Sequence, residues 1–574
     1  MSIRTSPPDP GGDSGRGGGA LGGDSGRGGA DTVVAAARRW LEDDPDAATR
    51  AELTAVLDAD DHAALADRFG SHLTFGTAGL RGELGAGPNR MNRVVVQRAA
   101  AGLAAYLRST GAAARGDRVV IGYDARHNSD VFAADTADVV QGAGLTALVL
   151  PRPLPTPVLA YAIRTLGCVA GVMVTASHNP PRDNGYKVYL SDGRQIVPPA
   201  DAGISAEIAA VGPVRELPRD HGWTRVDESL VDRYVERAAS LVDPHSPRGL
   251  RIAYTPMHGV GRQVFERVFA AAGFAPAAVV AEQADPDPDF PTVRFPNPEE
   301  PGALDLAIAT AVDAGADLVV ANDPDADRCA IAVPDTGGFR MLRGDDVGAL
   351  LAAHILRREP RPDGVFAASI VSSTLLHRMA DAAGVPYVDT LTGFKWLSRV
   401  PHLRYAYEEA LGYCVDPAGV ADKDGITAAL LVCELAASLA AEGRGLTDLL
   451  DELAVEHGLH STDQISVRVA RIADSDAVLG RLLADPPAGI GGLAVESVED
   501  LAAGDTGLPP TPGVRLRLAE RTRVVVRPSG TEPKIKCYLE VVVPVPDGDV
   551  AAARATASGR LGALRSELGS LVRT

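Results

Sequence analysis

From residue 32 onward, apolar positions recur at helical spacing: Val33, Ala37, Trp40 and Leu41 share one face and predict a helix. Thr49-x-x-Glu52, just ahead of Leu53, Val56 and Leu57, predicts a capping box at the start of a second helix. Farther along the pattern changes. Short apolar runs at 118–123, 169–174, 251–254, 318–321 and 524–526 end in turns and alternate with longer Ala- and Leu-rich stretches. Strand-length runs alternating with helix-length ones predict βα units and mixed α/β domains. Ahead of residue 32 the octapeptide GGDSGRGG occurs twice, at 11–18 and 22–29, with almost nothing apolar beside it. Such a stretch cannot bury enough surface to offset backbone ordering, so residues 1–31 are expected to form a flexible Gly-rich tail.

The 574 residues suggest four domains at roughly 150 residues each. Breaks in the pattern near 218–223, 335–338 and 457–461 divide the chain into 32–222, 223–337, 338–458 and 459–574. Hydrophobic residues make up 45% and charged residues 23%, an ordinary balance for a globular chain with several cores. The net charge of −19 argues against nucleic acid as a partner, because phosphate backbones are held by Lys and Arg. It also means that an anionic substrate must be met by locally concentrated cations. Cys168, Cys329, Cys414, Cys433 and Cys537 are scattered, with no CxxC pair, so no disulfide framework is expected. No run of about 18 apolar residues and no secretory leader is evident, which predicts a cytoplasmic chain with no membrane partner.

Three segments at strand ends carry candidate chemistry. Thr175-Ala176-Ser177-His178-Asn179-Pro180 follows the run 169–174, placing Ser177 at the carboxyl edge of a sheet, where α/β proteins put ligands. It lacks the flanking glycines of a hydrolase nucleophile elbow, and by itself it reads equally well as a turn. Asn322-Asp323-Pro324-Asp325-Ala326-Asp327-Arg328 follows 318–321, and carboxylates at alternate positions can converge on one hard cation. An EF-hand is excluded, since the sixth position is Arg328 rather than Gly and the twelfth is Pro334. Three carboxylates with no further protein ligands suit Mg²⁺, which shares its shell with phosphate. Asp285, Asp287 and Asp289 repeat the spacing in a Pro-rich stretch with no strand ahead of it, and read as a loop. Arg527-Pro528-Ser529-Gly530-Thr531-Glu532-Pro533-Lys534 follows 524–526; its small-residue turn, hydroxyls and arginine make a candidate anion site unlike a Walker A loop.

A fourth segment, Tyr407 to Tyr413, contains the adjacent carboxylates Glu408 and Glu409 and precedes Asp422-Lys423-Asp424-Gly425. Paired glutamates can accept hydrogen bonds from neighbouring sugar hydroxyls, although alone they read as a solvated face. Arg81, Arg126, Lys187 and Lys395 sit in turn-like settings, and each by itself reads as a surface residue; His258 reads as structural.

Taken in this order, the segments resemble the α-D-phosphohexomutase superfamily. The resemblance runs from Phe75-Gly76-Thr77-Ala78-Gly79-Leu80-Arg81-Gly82 to Glu540, about four fifths of the chain. That opening motif, Pro88-Asn89-Arg90-Met91-Asn92 and the stretch 287–301 are similar to the branch holding bacterial phosphoglucomutases, phosphomannomutases and phosphopentomutase-like proteins. The resemblance implies four domains around a central cleft, three of related α/β topology and a smaller α+β C-terminal domain that grips phosphate. It implies a phosphosugar mutase that interconverts sugar 1- and 6-phosphates of glucose or mannose through a phosphoserine and a sugar bisphosphate. A phosphopentomutase and a sugar bisphosphate synthase are the alternatives it leaves open.

By the same resemblance, Ser177 is the phosphoryl carrier, and Asp323, Asp325 and Asp327, with a phosphoryl oxygen on Ser177, hold one Mg²⁺. Arg328, His178 and Arg81 lie beside the seryl phosphate, and Lys187 is the candidate general acid or base. Glu408, Glu409, Thr392, Gly393, Lys395 and Lys423 face the sugar, while Arg527, Ser529, Gly530, Thr531 and Lys534 hold its non-transferring phosphate. A sugar 1,6-bisphosphate is the implied activator, and a monomer or weak homodimer the implied state. Two departures stand out: Ala410 replaces a hydroxyl-bearing residue of glucose-type members, and Tyr413 a histidine of some mannose/glucose members.

Overall fold

The strand-length runs assemble into four sheets in a computed structural model that describes residues 25–469, 472–504, 507–528 and 534–573. In the first sheet Asp183–Leu190, Ala170–Val174, Arg118–Tyr123 and Thr146–Val149 are consecutive neighbours. The second places Cys329–Asp335, Leu318–Asn322, Ile252–Thr255 and Ala278–Val279 side by side, and the third Gly412–Cys414, Leu403–Glu408, Val365–Ser369 and Tyr387–Thr390. Numbered within each group by chain position, all three read 4-3-1-2: strands 1, 2 and 3 are parallel, and strand 4 turns back antiparallel on strand 3. The related topology implied by the sequence is therefore present as three copies of one pattern.

The fourth sheet differs. Its six strands, from Leu459–Arg468 through Lys534–Val543, Thr522–Pro528, Val514–Leu518 and Leu493–Asp500 to Gly489–Ile490, are all antiparallel neighbours, packed against the helix Val550–Leu571.

The central parallel strands are largely apolar because helices cover them: Leu318–Asn322 and Ala170–Val174 are buried at every position. The helix Gly425–Ala441 is buried along nearly its whole length, against Gly344–Arg358 of the third unit and Arg262–Ala271 of the second. Its apolar character is that of a core helix, and no single helix among the described residues is long and apolar enough to cross a membrane. All five cysteines are buried and free, as expected.

Several local expectations shift. The second helix spans Ala47–Asp58 and is capped by Asp46, whose carboxylate accepts from Ala48 N at 2.8 Å; Thr49 lies inside it, so the proposed capping box is absent. The Asx cap wins because Asp46 precedes the helix and reaches the free N–H groups first. The first helix begins at Ser25, inside the stretch assigned to the tail; residues 1–24 lie outside those described. Thr224–Arg225 pairs with Thr146–Val149 beyond the break at 222, and Gly338–Met341 edges the second sheet beyond the break at 337. Both breaks therefore move a few residues toward the C-terminus, because each last edge strand pairs with the sheet before it.

The topology positions chemistry. In each α/β unit the connection from strand 3 to strand 4 lies at the carboxyl edge of the sheet. These three connections carry Ser177, the Asp323–Asp327 loop and Glu409.

Candidate active site

The loop after Ala170–Val174 holds Ser177 in the left-handed region at φ 51°, an arrangement that persists only where its surroundings over-determine it. Those surroundings are explicit. Thr175 Oγ1 accepts from Ser177 N at 2.9 Å. Arg126, buried, donates through one guanidinium nitrogen to the carbonyls of Ser177 (2.5 Å) and Asn179 (2.6 Å), and through the other to Pro180 (2.8 Å) and Asp183 (3.1 Å). Phe290 lies 4.8 Å beneath the same guanidinium, and Asp124 pairs with it at 3.5 Å. Arg126 is thus a clamp on the serine loop, not the surface residue its turn-like setting suggested.

Ser177 Oγ donates to Asp323 Oδ2 at 2.8 Å and lies 3.1 Å from His178 Nδ1. Arg81, on the edge strand Leu80–Glu83, donates to Asn179 Oδ1 at 3.1 Å. Close approach requires glycine here: Gly79 has φ +76°, and a Cβ on it would stand 1.8 Å from Tyr186 O. His178 is partly exposed, yet desolvation and the neighbouring Arg328 and Arg81 hold its imidazolium well below the usual histidine range. It is neutral at pH 7.

Asp323, Asp325 and Asp327 are fully buried, with one oxygen from each inside 4.8 Å of the others. Ala326, at φ 52°, supplies the tight turn between them. Lys187 Nζ, on Asp183–Leu190 of the first sheet, reaches Asp325 Oδ2 at 2.7 Å and Asp327 Oδ2 at 2.9 Å; Lys423 Nζ lies 3.3 Å from Asp327. Thr156, from the first unit, donates to Asp325 Oδ2 at 2.6 Å. Burial by itself would raise all three acids. Asp323 is indeed raised well above the carboxylate range, by desolvation and by its two neighbours, whereas Lys187 holds Asp325 and Asp327 below it, with Lys423 and Arg328 adding to the pull on Asp327. Burial would lower Lys187, but Asp325 and Asp327 outweigh it and keep the ammonium charged.

Oδ1 of Asp325 and Oδ1 of Asp327 are buried without any hydrogen-bond partner. Orphaned anionic oxygens in a dry site are costly unless a cation takes them. The triad therefore fits a hard divalent cation, with oxygen ligands that favour Mg²⁺. Asp285, Asp287 and Asp289 lie in a strandless loop, with Asp285 and Asp289 exposed and paired with Arg262 and His127, as expected of the control copy.

Arg328 donates its backbone N–H to Asp323 Oδ1 at 3.0 Å, and its side chain faces the same carboxylate at 3.9 Å. The loop is pinned from the third unit: Gly425 N donates to Ala326 O, and a Cβ on Gly425 would stand 2.1 Å from Arg328 O. Glu408, at the end of Leu403–Glu408, faces Lys423 and Arg328; burial raises its carboxyl and these cations oppose the rise. Glu409 points the other way and accepts from Ser369 Oγ (3.1 Å) and Ser372 Oγ (3.2 Å). The adjacent pair therefore divides into one carboxylate at the cation cluster and one in a serine pocket.

Lys395 Nζ bonds Thr77 Oγ1, and Arg527 bonds Thr392 Oγ1, so the segment carrying Gly393 (φ 103°) joins the first unit to the fourth. Lys534 opens the strand Lys534–Val543; Ser529, Gly530 and Thr531 lie outside the described residues. Lys536, across the ladder from Arg527, was not anticipated; its alternation with Lys534 is the only sequence signal for it. Thr156 was likewise missed, since nothing in the sequence links it to a residue 169 positions away. His258 is structural, bonded to Thr292 Oγ1 at 2.9 Å. Tyr413, read as bearing on sugar recognition, is fully buried and donates to Gly344 O at 3.2 Å, so its aromatic ring serves packing.

A serine hydroxyl facing three buried carboxylates, ringed by cations at the meeting point of three like sheets, defines a phosphoryl-transfer site. Four consecutive segments match the family descriptions "Phosphoglucomutase/phosphomannomutase, alpha/beta/alpha" domains I (72–214), II (232–338) and III (343–456), and the C-terminal domain of the same family (465–554). The chain is 46% identical over 456 residues to a Haemophilus influenzae "Probable phosphomannomutase", covering 78% of this chain and 93% of that one. It is 33% identical to human phosphopentomutase over 569 residues, covering 89% and 92% respectively. A phosphoglucomutase/phosphomannomutase family protein from Burkholderia thailandensis shares the fold with a TM-score of 0.65 at 22% identity, over 86% of this chain and 97% of that one. The chain therefore belongs to the phosphoglucomutase/phosphomannomutase family and is an intramolecular phosphotransferase, an isomerase.

Two predictions come from this geometry. Arg126→Ala removes four carbonyl contacts and strands Asp124; the expected cost is about 3–5 kcal/mol in chemical denaturation, with part recovered in Arg126→Ala/Asp124→Asn. Desolvation, Glu408 and Asp345 raise the Glu409 carboxyl to about 7 from an unfolded value near 4.5. The folded state thus binds the extra proton between these values, and wild-type stability falls as pH rises through 7. Glu409→Gln should gain on wild type by about 2 kcal/mol between pH 5 and pH 8, read from paired unfolding curves.

Proposed function

We propose that this enzyme interconverts sugar 1-phosphate and sugar 6-phosphate, of glucose or mannose, through a phosphorylated Ser177 and a sugar bisphosphate. The observation that carries the reading is the 2.8 Å contact between Ser177 Oγ and Asp323 in the buried triad. A binding protein needs neither that nucleophile nor those orphaned oxygens.

Asp323, Asp325 and Asp327, with a phosphoryl oxygen on Ser177, would hold Mg²⁺. When bound, the ion supplies Lewis-acid stabilisation of charge on the phosphoryl group and on the departing seryl oxygen. The residues of the chain do the rest. A sugar hydroxyl attacks phosphorus, the P–Oγ bond breaks, the Lys187 ammonium gives a proton to the departing Ser177 Oγ, and the amine so formed takes up the hydroxyl proton. Such transfers have loose transition states, so positioning and charge neutralisation dominate. Arg328, Arg81 and neutral His178 surround the transferring group. Arg126 keeps the serine loop from recoiling.

Glu408 accepts from sugar hydroxyls, with Thr392, Gly393, Lys395 and Lys423 around the ring; Glu409, expected beside it, is turned into the pocket of Ser369 and Ser372 and takes no part in binding. Arg527, Ser529, Gly530, Thr531 and Lys534 hold the phosphate that is not in transit. The bisphosphate turns over in the cleft, and the second phosphoryl group returns to Ser177, so a sugar 1,6-bisphosphate would prime the dephosphorylated enzyme. Splitting one transfer in two through a covalent carrier lowers each barrier.

A second reading, pentose 1-phosphate to 5-phosphate, is favoured by the 33% identity to human phosphopentomutase over 89% of this chain. Initial rates on glucose, mannose and ribose 1-phosphates with a 1,6-bisphosphate activator separate the two. A kcat/KM at least about tenfold higher for a hexose supports the first reading, and a ribose preference replaces it. Net accumulation of bisphosphate from a glycolytic phosphoryl donor would instead mark a synthase.

Ser177→Ala should retain sugar-phosphate binding by calorimetry while turnover falls about 10⁴-fold or more; near-normal turnover overturns the phosphoserine relay. Magnesium should raise the thermal midpoint of wild type and leave that of Asp325→Asn/Asp327→Asn unchanged, because a ligand that binds only the folded site stabilises it.

A further inference from the structure

Away from the cleft, a cavity of about 820 Å³ opens beneath the third sheet, at the ends of its strands opposite Glu408. Its walls come from the end of the helix Gly344–Arg358, the segment 399–404, the segment 415–418, Arg194 from the first unit and Ser240–Leu241 from the second. Volume and composition suit a small molecule: Val400, Pro401, Leu403, Val415 and Pro417 make an apolar side.

The polar side is basic. Arg194, Arg358, Arg399 and Arg404 line it, with His354 and His402, against only two lining acids, Glu359 and Asp416. Asp416 is already taken by Arg237, at 2.6 and 2.8 Å. Several of these guanidinium groups are held in place by backbone carbonyls: Arg358 donates to Leu241 O at 2.6 Å and Arg399 to Gln195 O at 2.7 Å. Arg404 has only long contacts, 3.4 Å to Val415 O and 3.4 Å to Glu359. The Nε atoms of Arg194 and Arg399 are buried with no partner at all. In a chain of net charge −19, four arginines from separate segments converge on one cavity, with Arg194 and Arg399 sharing the single carboxylate of Asp192 at 3.6 and 2.8 Å and Arg358 reaching Glu434 at 3.2 Å. Fixed guanidinium forks match phosphate oxygens in pairs.

We infer that this cavity is a second anion site, for a small phosphorylated organic metabolite whose apolar body lies on the Val400–Pro401 side. It is separate from the transferring site. It has a physical route to it: Arg399 bonds Gln195 O, Gln195 Nε2 donates to Asp422 Oδ2 at 2.8 Å, and the adjacent Lys423 reaches Asp327 at 3.3 Å. Arg399 also pairs with Asp192 at 2.8 Å. An anion competing with Asp192 for Arg399 acts on the segment that holds Lys423 at the triad.

The test uses inorganic pyrophosphate as probe, in metal-free buffer, on the full chain carrying Arg527→Gln so that the phosphate grip of the cleft is weakened. Calorimetry should show one bound equivalent, and adding Arg194→Gln and Arg404→Gln should weaken it at least about tenfold. Absence of binding in Arg527→Gln, or affinity unchanged by the two further substitutions, overturns the site. Should those substitutions impair folding, hydrogen exchange on Arg527→Gln alone decides. Pyrophosphate should protect 399–404 and 415–418, and no protection there overturns the site. Protection extending to 420–424 supports the route to the triad, and its confinement to the cavity walls overturns that route while leaving the site.

Discussion

Three carboxylates buried within 4.8 Å of one another are the constraint on which the rest of this structure depends. At an effective dielectric near 20, each pair of such charges repels by roughly 3–4 kcal/mol, before the cost of removing them from water. The chain meets that cost with cations from other units: Lys187 from the first and Lys423 from the third, with Arg328 alongside. The oxygens those cations leave unpaired are the ones a metal ion would take. Neither lysine could be withdrawn to the surface without leaving the triad uncompensated. The acidic loop thereby binds the units together as well as creating the site.

That requirement explains why one strand connection is used three times. The link from strand 3 to strand 4 always emerges at the carboxyl edge of its sheet, and three sheets arranged about one centre bring three such links together. One carries the nucleophile, one the carboxylates and one Glu409, with Glu408 at the strand end beside it. Each link contains a non-glycine residue with positive φ: Ser177, Ala326 and Leu411. Each reverses the chain sharply so that the next strand can turn back antiparallel.

Reading the chain in one dimension reached the strands, the nucleophile loop and the acidic loop, because each is a local pattern: an apolar run, then a turn rich in Ser, Asp or Gly. It separated Asp323-x-Asp325-x-Asp327 from Asp285-x-Asp287-x-Asp289 on the presence of a strand ahead; in the structure Leu318–Asn322 runs straight into the first loop, whereas a two-residue strand, Ala278–Val279, and the turn Ala281–Gln283 precede the second. It failed where the deciding partner is distant in sequence. Arg126 looks like a surface residue until Ser177, Pro180, Asp183 and Phe290 are brought around it. Thr156 carries no local signal, and Tyr413 looked like a ligand because its buried partner, Gly344, lies 69 positions away. The capping box failed for a smaller reason: Asp46 stood nearer the helix start than Thr49.

By itself, then, the amino-acid order determined which segments are strands, where they end and which chemical groups stand at those ends, since periodicity and turn chemistry act over a few residues. Only tertiary structure decided which of those groups meet. It set Lys187 on two carboxylates from another unit, parted Glu408 from Glu409, and gathered arginines from separate segments into one cavity. The physical reason is that charge compensation and burial are properties of the assembled interior, where the cost of an unpaired group falls on whichever partners the fold brings within reach.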